Sequence, residues 1–72
     1  MTVKEKVKVI TERYRIPQAV ISEISGIPKQ TLSRQLLNDS VEMKHEYEER
    51  VEQALETIAD DILNIVYGAG EE

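Results

Sequence analysis

Apolar residues recur at three- and four-residue spacing along most of the chain, which is the period of an α-helix. Near the N-terminus they form one stripe at Val3, Val7, Ile10 and Tyr14. No segment shows the alternation with a period of two that marks a half-buried β-strand. The pattern therefore predicts an all-α fold.

Capping and turn residues divide this pattern into four helices. Thr2 and Glu5 have the spacing of a capping box, with Thr2 as the N-cap. Pro17 ends the first helix and opens the second, because the residue before a proline is pushed out of helical geometry. Gly26 suits the left-handed end of the second helix, and Pro28 suits the start of the third. The predicted helices cover residues 3–14, 17–25, 28–37 and 41–66.

The fourth predicted helix is long and amphipathic. At 1.5 Å per residue, 41–66 would extend about 39 Å. Asp39 and Glu42 again have capping-box spacing, and Gly68 and Gly70 are expected to close the helix. Its apolar stripe is Tyr47, Val51, Ala54, Leu55, Ile58, Ile62, Ile65 and Val66. A second, acidic face, expected to be solvated, carries Glu42, Glu46, Glu49, Glu52, Glu56 and Asp60.

The shorter helices are expected to supply the rest of the core. The predicted inward residues are Val20, Ile21, Ile24, Leu32, Leu36 and Leu37. The C-terminal cluster carries more apolar surface than a lone helix end should expose. This cluster is Ile62, Leu63, Ile65, Val66 and Tyr67. We expect it to fold back on the first helix, with a subunit contact as the alternative.

Length and composition exclude several classes of function. The 72 residues make one small domain spanning 1–72, with no cysteine and one histidine, His45. Neither a disulfide framework nor a metal centre is therefore expected. No nucleophile–base pair or phosphate-binding loop is visible, so we expect no enzyme, cofactor or small-molecule substrate. The chain lacks a membrane-spanning run and an N-terminal signal sequence, which predicts a soluble, cytoplasmic protein without a membrane partner.

Charge is distributed unevenly along the chain. Residues 1–37 carry seven basic and three acidic side chains (+4), whereas residues 38–72 carry two basic and eleven acidic ones (−9). The net charge of −5 argues against indiscriminate binding of nucleic acid. Two halves of opposite sign predict two surfaces with different roles.

Two short helices joined at a glycine, the second with a polar outer face, predict a helix-turn-helix over about 17–37. This segment resembles the motif of the Cro and lambda-repressor family from Gln18 to Leu36. The family usually has a leucine at the position of Ser25. We expect Ile24 to pack in place of that leucine. The residues that match the family's habits are Gln18, Ser22, Gly26, Ile27 and the run Leu32-Ser33-Arg34.

The resemblance implies a contact surface on the third helix. In such a motif Gln30, Thr31 and Arg34 would read base edges, while Gln18 and Lys29 would hold phosphates. A merely solvated face is the alternative for these polar residues. The full set of predicted contact residues is Gln18, Ile27, Pro28, Lys29, Gln30, Thr31, Ser33 and Arg34.

The size and layout of the whole chain look like those of the modulator-of-repression proteins of temperate phages of lactic-acid bacteria. That resemblance implies an antirepressor, which would bind the N-terminal domain of a cognate phage repressor, keep it off its operators and allow the lytic state. It also implies joint action with the repressor on DNA. In the protein-binding case Ile27 and Pro28, with Tyr14 or Tyr47, would supply buried contacts. The alternatives are a Cro-like repressor that binds operator DNA through the third helix, and a structural interaction module driven by the apolar tail.

Overall fold

Four α-helices make up the fold in the computed structural model, which describes residues 1–37 and 42–68. No strand occurs in these two segments. The all-α prediction is confirmed. The helices are α1 (Val3–Arg13), α2 (Gln18–Ser25), α3 (Lys29–Leu37) and α4 (His45–Tyr67).

The predicted capping box at the start of α1 is confirmed. The Glu5 amide donates to Thr2 Oγ1 at 3.2 Å, and the Thr2 amide donates to Glu5 Oε1 at 2.8 Å. The helix ends one residue earlier than predicted, and Tyr14 is 64% exposed rather than packed. Arg15 then adopts a left-handed φ of 60°, which turns the chain toward α2.

The turn between α2 and α3 is closed by a glycine and two serines. Gly26 is left-handed with φ of 76°, as predicted, and its amide donates to the Ser22 carbonyl at 2.9 Å. Ser22 Oγ donates to the Ile27 carbonyl at 2.6 Å. Ser25 Oγ accepts from the Ile27 amide and donates to the Ser22 carbonyl, each at 3.3 Å. Ser25 therefore fixes the turn by hydrogen bonds instead of packing like a leucine. Ile24 does not replace that packing, since it is 41% exposed.

The start of α4 differs most from the prediction. The helix begins at His45, four residues late, with Lys44 as its N-cap and no side-chain cap. Met43 is buried at 5% exposure, so residues 42–44 follow the core surface in a non-helical conformation. Asp39, the first half of the expected capping box, lies outside the described residues, as does Gly70. Gly68 closes the helix at φ of 62°, as predicted.

One core joins all four helices. Ile21 and Leu32 are buried as predicted, and Leu36 is partly buried against them. The predicted inward position of Leu37 is wrong, because its side chain is 82% exposed. The buried core residues are Val7, Ile21, Ile27, Leu32, Met43, Val51 and Ala54.

The C-terminal part of α4 extends past this core. The helix is about 35 Å long, and the molecule measures 46 × 23 × 19 Å. Lys6 Nζ lies 2.5 Å from Glu52 Oε2 and links α1 to the middle of α4. The expected fold-back of the helix end on α1 is wrong, because its apolar side chains are exposed. Their exposed fractions are Ile62 47%, Leu63 52%, Ile65 73%, Val66 64% and Tyr67 77%.

Candidate partner-binding face

Four of the predicted contact residues lie together on the outer side of α3. Lys29, Gln30, Ser33 and Arg34 line a shallow depression of about 590 Å³, and Leu37 completes it. All five residues are exposed. These five residues are called the α3 face below. Their spacing places Gln30, Arg34 and Leu37 roughly opposite Leu32, which faces the core, with Lys29 and Ser33 along the flank of the same surface.

A second cleft adjoins the α3 face and contains Gln18. It has a volume of about 270 Å³ and lies between α1, the start of α2 and α3. Ser33 and Leu37 line both the cleft and the depression, so the two surfaces are continuous. Lys4 and Lys8 of α1 also line the cleft, although neither was predicted as a contact residue. The signal in the sequence that could have identified them is their spacing of four residues, which places both lysines on the same face of a basic helix.

Three predicted contact residues lie elsewhere. Ile27 is 1% exposed and belongs to the core, so its prediction as a contact residue is wrong. Its side chain is buried because the turn directs it inward between the helices. Pro28 is exposed just before α3, and Thr31 is half-buried; neither lines the depression.

The two tyrosines expected to support a protein contact are not part of this surface. Tyr14 is exposed after α1, and Tyr47 packs against the core from α4. Neither lines the α3 face or the adjoining cleft. A contact by Tyr14 or Tyr47 therefore stays a prediction, and the apolar residue that lines the depression itself is Leu37.

Leu37 is the contact candidate that sequence reasoning missed. Leu36 and Leu37 are adjacent, and a helix turns by 100° per residue, so their side chains point in different directions. Leu36 lies one helical turn after Leu32 and takes the inner position. Leu37 is consequently displayed at 82% exposure beside the charged residues of α3.

The charges of the α3 face are positive and unpaired within the described residues. Lys29 and Arg34 supply them, and no acidic residue lines the depression. Elsewhere in the molecule, ion pairs join Lys6 to Glu52 and His45 to Glu48 and Glu49. The face can therefore donate hydrogen bonds to acceptors of a partner.

His45 makes a local contact with acidic neighbours outside the α3 face. His45 Nε2 lies 3.1 Å from Glu49 Oε2 on the surface of α4, as a local pair one helical turn apart. No cluster of three or more histidine, aspartate or glutamate residues suited to a metal ion occurs in 1–37 and 42–68. In the same segments, no helix is long and apolar enough to cross a membrane.

Comparison with known proteins gives no further guide to the site. No protein-family model, curated protein or solved structure matches this chain. The functional argument therefore depends on the residues and geometry of the α3 face.

Proposed function

We propose that the protein is an antirepressor of a phage-type genetic switch. Its α3 face, within a helix-turn-helix formed by α2 and α3, binds the N-terminal DNA-binding domain of a cognate phage repressor. Binding blocks operator recognition and favours the lytic state, in the cytoplasm of the bacterial host. The pair can also act together on DNA.

The observation that carries this proposal is the exposure of Leu37 among polar contact residues. Protein interfaces combine a few apolar or arginine anchors with a polar rim. Leu37 at 82% exposure, beside Arg34, fits that anatomy. Complete burial of a leucine side chain contributes about 1.5–3 kcal/mol. A phosphate backbone offers no comparable apolar partner.

Charge also favours a protein partner. The α3 face has two cations, Lys29 and Arg34, and phosphate contacts usually supply most of the affinity for DNA. The whole chain carries a net charge of −5, which repels DNA at long range and attracts a basic DNA-binding domain. Electrostatic attraction of this kind raises the association rate.

Direct binding of operator DNA is the second candidate. The observation that favours it is that Gln30 and Arg34 share one exposed helix face, with Gln18 in the adjoining cleft. Glutamine pairs with adenine and arginine with guanine in the major groove. Lys4 and Lys8 border the same cleft and would then lie near phosphates.

Alanine substitutions on the α3 face test the proposed contact surface. Gln30→Ala, Arg34→Ala and Leu37→Ala should each change the free energy of unfolding by no more than about 0.5 kcal/mol, because the residues are exposed. Each should weaken binding to the repressor domain, by about tenfold where an anchor worth about 1.4 kcal/mol is lost. Isothermal titration calorimetry measures the affinity, and thermal unfolding measures the stability.

Gln53→Ala is the matched control for Gln30→Ala, since Gln53 is an exposed glutamine on α4 outside the α3 face. It should change neither stability nor binding.

Leu37→Ala separates the two candidate functions, because it should weaken repressor binding and leave DNA binding almost unchanged. Unchanged affinity for both ligands in all three α3 variants would show that α3 is not the contact face.

A further inference from the structure

Three residues of the described chain have a left-handed backbone, and each follows a helix. Gly26 and Gly68 close α2 and α4 with φ of 76° and 62°. Arg15 follows α1 with φ of 60°, one residue after the C-cap Tyr14. Glycine is the usual residue in this conformation, because it has no Cβ to crowd the backbone carbonyl. At one of three comparable positions, the chain therefore has a residue that is less favourable for stability.

No polar contact within the described residues offsets the strain at Arg15. Its side chain is exposed. It forms no hydrogen bond or ion pair with the rest of residues 1–37 and 42–68. Strained backbone conformations occur most often at sites that bind a ligand or a partner. An interaction outside the chain would thus explain why an arginine occupies this position.

Arg15 lies beside the surface that was described above as the candidate site. Glu12 is three residues before it and Gln18 three residues after it, and both line the cleft that adjoins the α3 face. Three residues span at most about 11 Å, so the backbone of Arg15 is close to that edge of the cleft. Ser33 and Leu37 connect the cleft to the α3 face. A partner that covers the α3 face and the cleft therefore comes within reach of the long Arg15 side chain.

We propose that Arg15 is a further contact residue for the protein partner of the α3 face, and that its guanidinium binds a carboxylate of that partner. The inference rests on the proposed antirepressor function, which supplies the partner. A guanidinium presents paired N–H donors that match the two oxygens of a carboxylate. Arg13 is exposed at the end of the same helix and adds positive charge, which favours an acidic group at this turn.

Thermal unfolding tests the strain at Arg15 without any partner. Arg15→Gly should raise the melting temperature by a few degrees, because glycine adopts the left-handed conformation without strain. Arg15→Ala should leave it almost unchanged, since alanine keeps the Cβ. Arg50→Gly is the matched control, because Arg50 is an exposed arginine within α4. It should lower the melting temperature by a few degrees, since glycine is unfavourable inside a helix.

Isothermal titration calorimetry with the repressor's N-terminal domain tests the contact. Arg15→Gly and Arg15→Ala should both weaken binding, by about tenfold. An equal loss in two variants of different stability assigns the effect to the side chain rather than to the backbone. Arg15→Lys should bind with intermediate affinity, because an ammonium keeps the charge but not the paired donors. Arg50→Ala removes the same charge from α4 and should bind like the wild type.

Four results would overturn the assignment of Arg15. One is a melting temperature of Arg15→Gly that does not exceed that of the wild type. Another is weaker binding by Arg15→Gly but not by Arg15→Ala, which would assign a structural role to the turn. A third is wild-type affinity of Arg15→Ala for the repressor domain together with weaker binding of operator DNA, which would place a phosphate at the guanidinium. The fourth is wild-type affinity of Arg15→Ala for both ligands.

The Leu37→Ala variant distinguishes failure of this inference from failure of the proposed function. If Leu37→Ala weakens binding to the repressor domain and Arg15→Ala does not, the antirepressor proposal stands and the role of Arg15 is wrong. If the wild-type protein does not bind the repressor domain, both proposals are wrong.

Discussion

Leu32 and Leu37 are identical residues in one short helix, with opposite environments. Leu32 is 1% exposed and Leu37 is 82% exposed. Residues five positions apart on a helix point in directions that differ by about 140°, since each residue turns the helix by 100°. Leu32 therefore contributes to folding, and Leu37 is available for contact.

Alanine substitution should separate these two roles. Leu32→Ala should lower the free energy of unfolding by about 2–5 kcal/mol, because it leaves a cavity in the core. A domain of this size has a total stability of only about 4–11 kcal/mol, so the variant should be largely unfolded at modest temperature. Leu37→Ala should change stability by no more than about 0.5 kcal/mol. Urea unfolding followed by circular dichroism measures both values; similar losses in the two variants would contradict the assignment of the inner and outer sides of α3.

The turn between α2 and α3 is the element that orients the α3 face. Gly26 provides the left-handed backbone, and the hydroxyls of Ser22 and Ser25 close the turn around Ile27. A Cβ added to Gly26 would meet no atom within 4 Å. The requirement for glycine is thus one of backbone conformation and not of space.

The stability of variants at Gly26 should follow the tendency of each substituted residue to adopt a left-handed backbone conformation. Gly26→Ala should destabilise the protein by about 1–2 kcal/mol, because φ of 76° is strained for an L-residue with a Cβ. Gly26→Asn should cost less, since asparagine tolerates this region better than alanine. Melting temperatures of the two variants check the order. Equal melting temperatures, or no change from wild type, would show that the strain lies elsewhere.

Element boundaries were predictable where local chemistry determines them. Thr2 with Glu5, Pro17 and Gly26 act through their own backbone or nearest neighbours, and helices α1 to α3 lie within one residue of the predicted bounds at each end. The start of α4 was not predictable in this way, because burial of Met43 holds the preceding residues outside the helix. Tertiary packing overrode the local capping signal there.

The whole molecule separates a basic region from an acidic one. Cations of α3 line the α3 face and cations of α1 line the adjoining cleft. Helix α4 carries exposed acids and ends in exposed apolar residues. That Lys29, Gln30, Ser33 and Arg34 share a face could be predicted, since it follows from helical spacing. The burial of Ile27 and the exposure of Leu37 and of the apolar residues that end α4 could not be predicted, since they depend on how the helices pack against one another.

The salt dependence of binding tests the antirepressor proposal most directly. Contacts with DNA release counterions, so the logarithm of affinity should fall with the logarithm of salt by about 0.9 per neutralised phosphate. If the partner is a protein bound through Leu37 and Arg34, the affinity should change little with salt, because charges at the rim of an interface act mainly on the association rate. The protein is titrated with a cognate repressor's N-terminal domain and with operator DNA, each at two salt concentrations. We expect tight, weakly salt-dependent binding to the repressor domain and weak, steeply salt-dependent binding to DNA; nanomolar binding to operator DNA alone, with no binding to the repressor domain, would contradict the proposal and support direct DNA recognition.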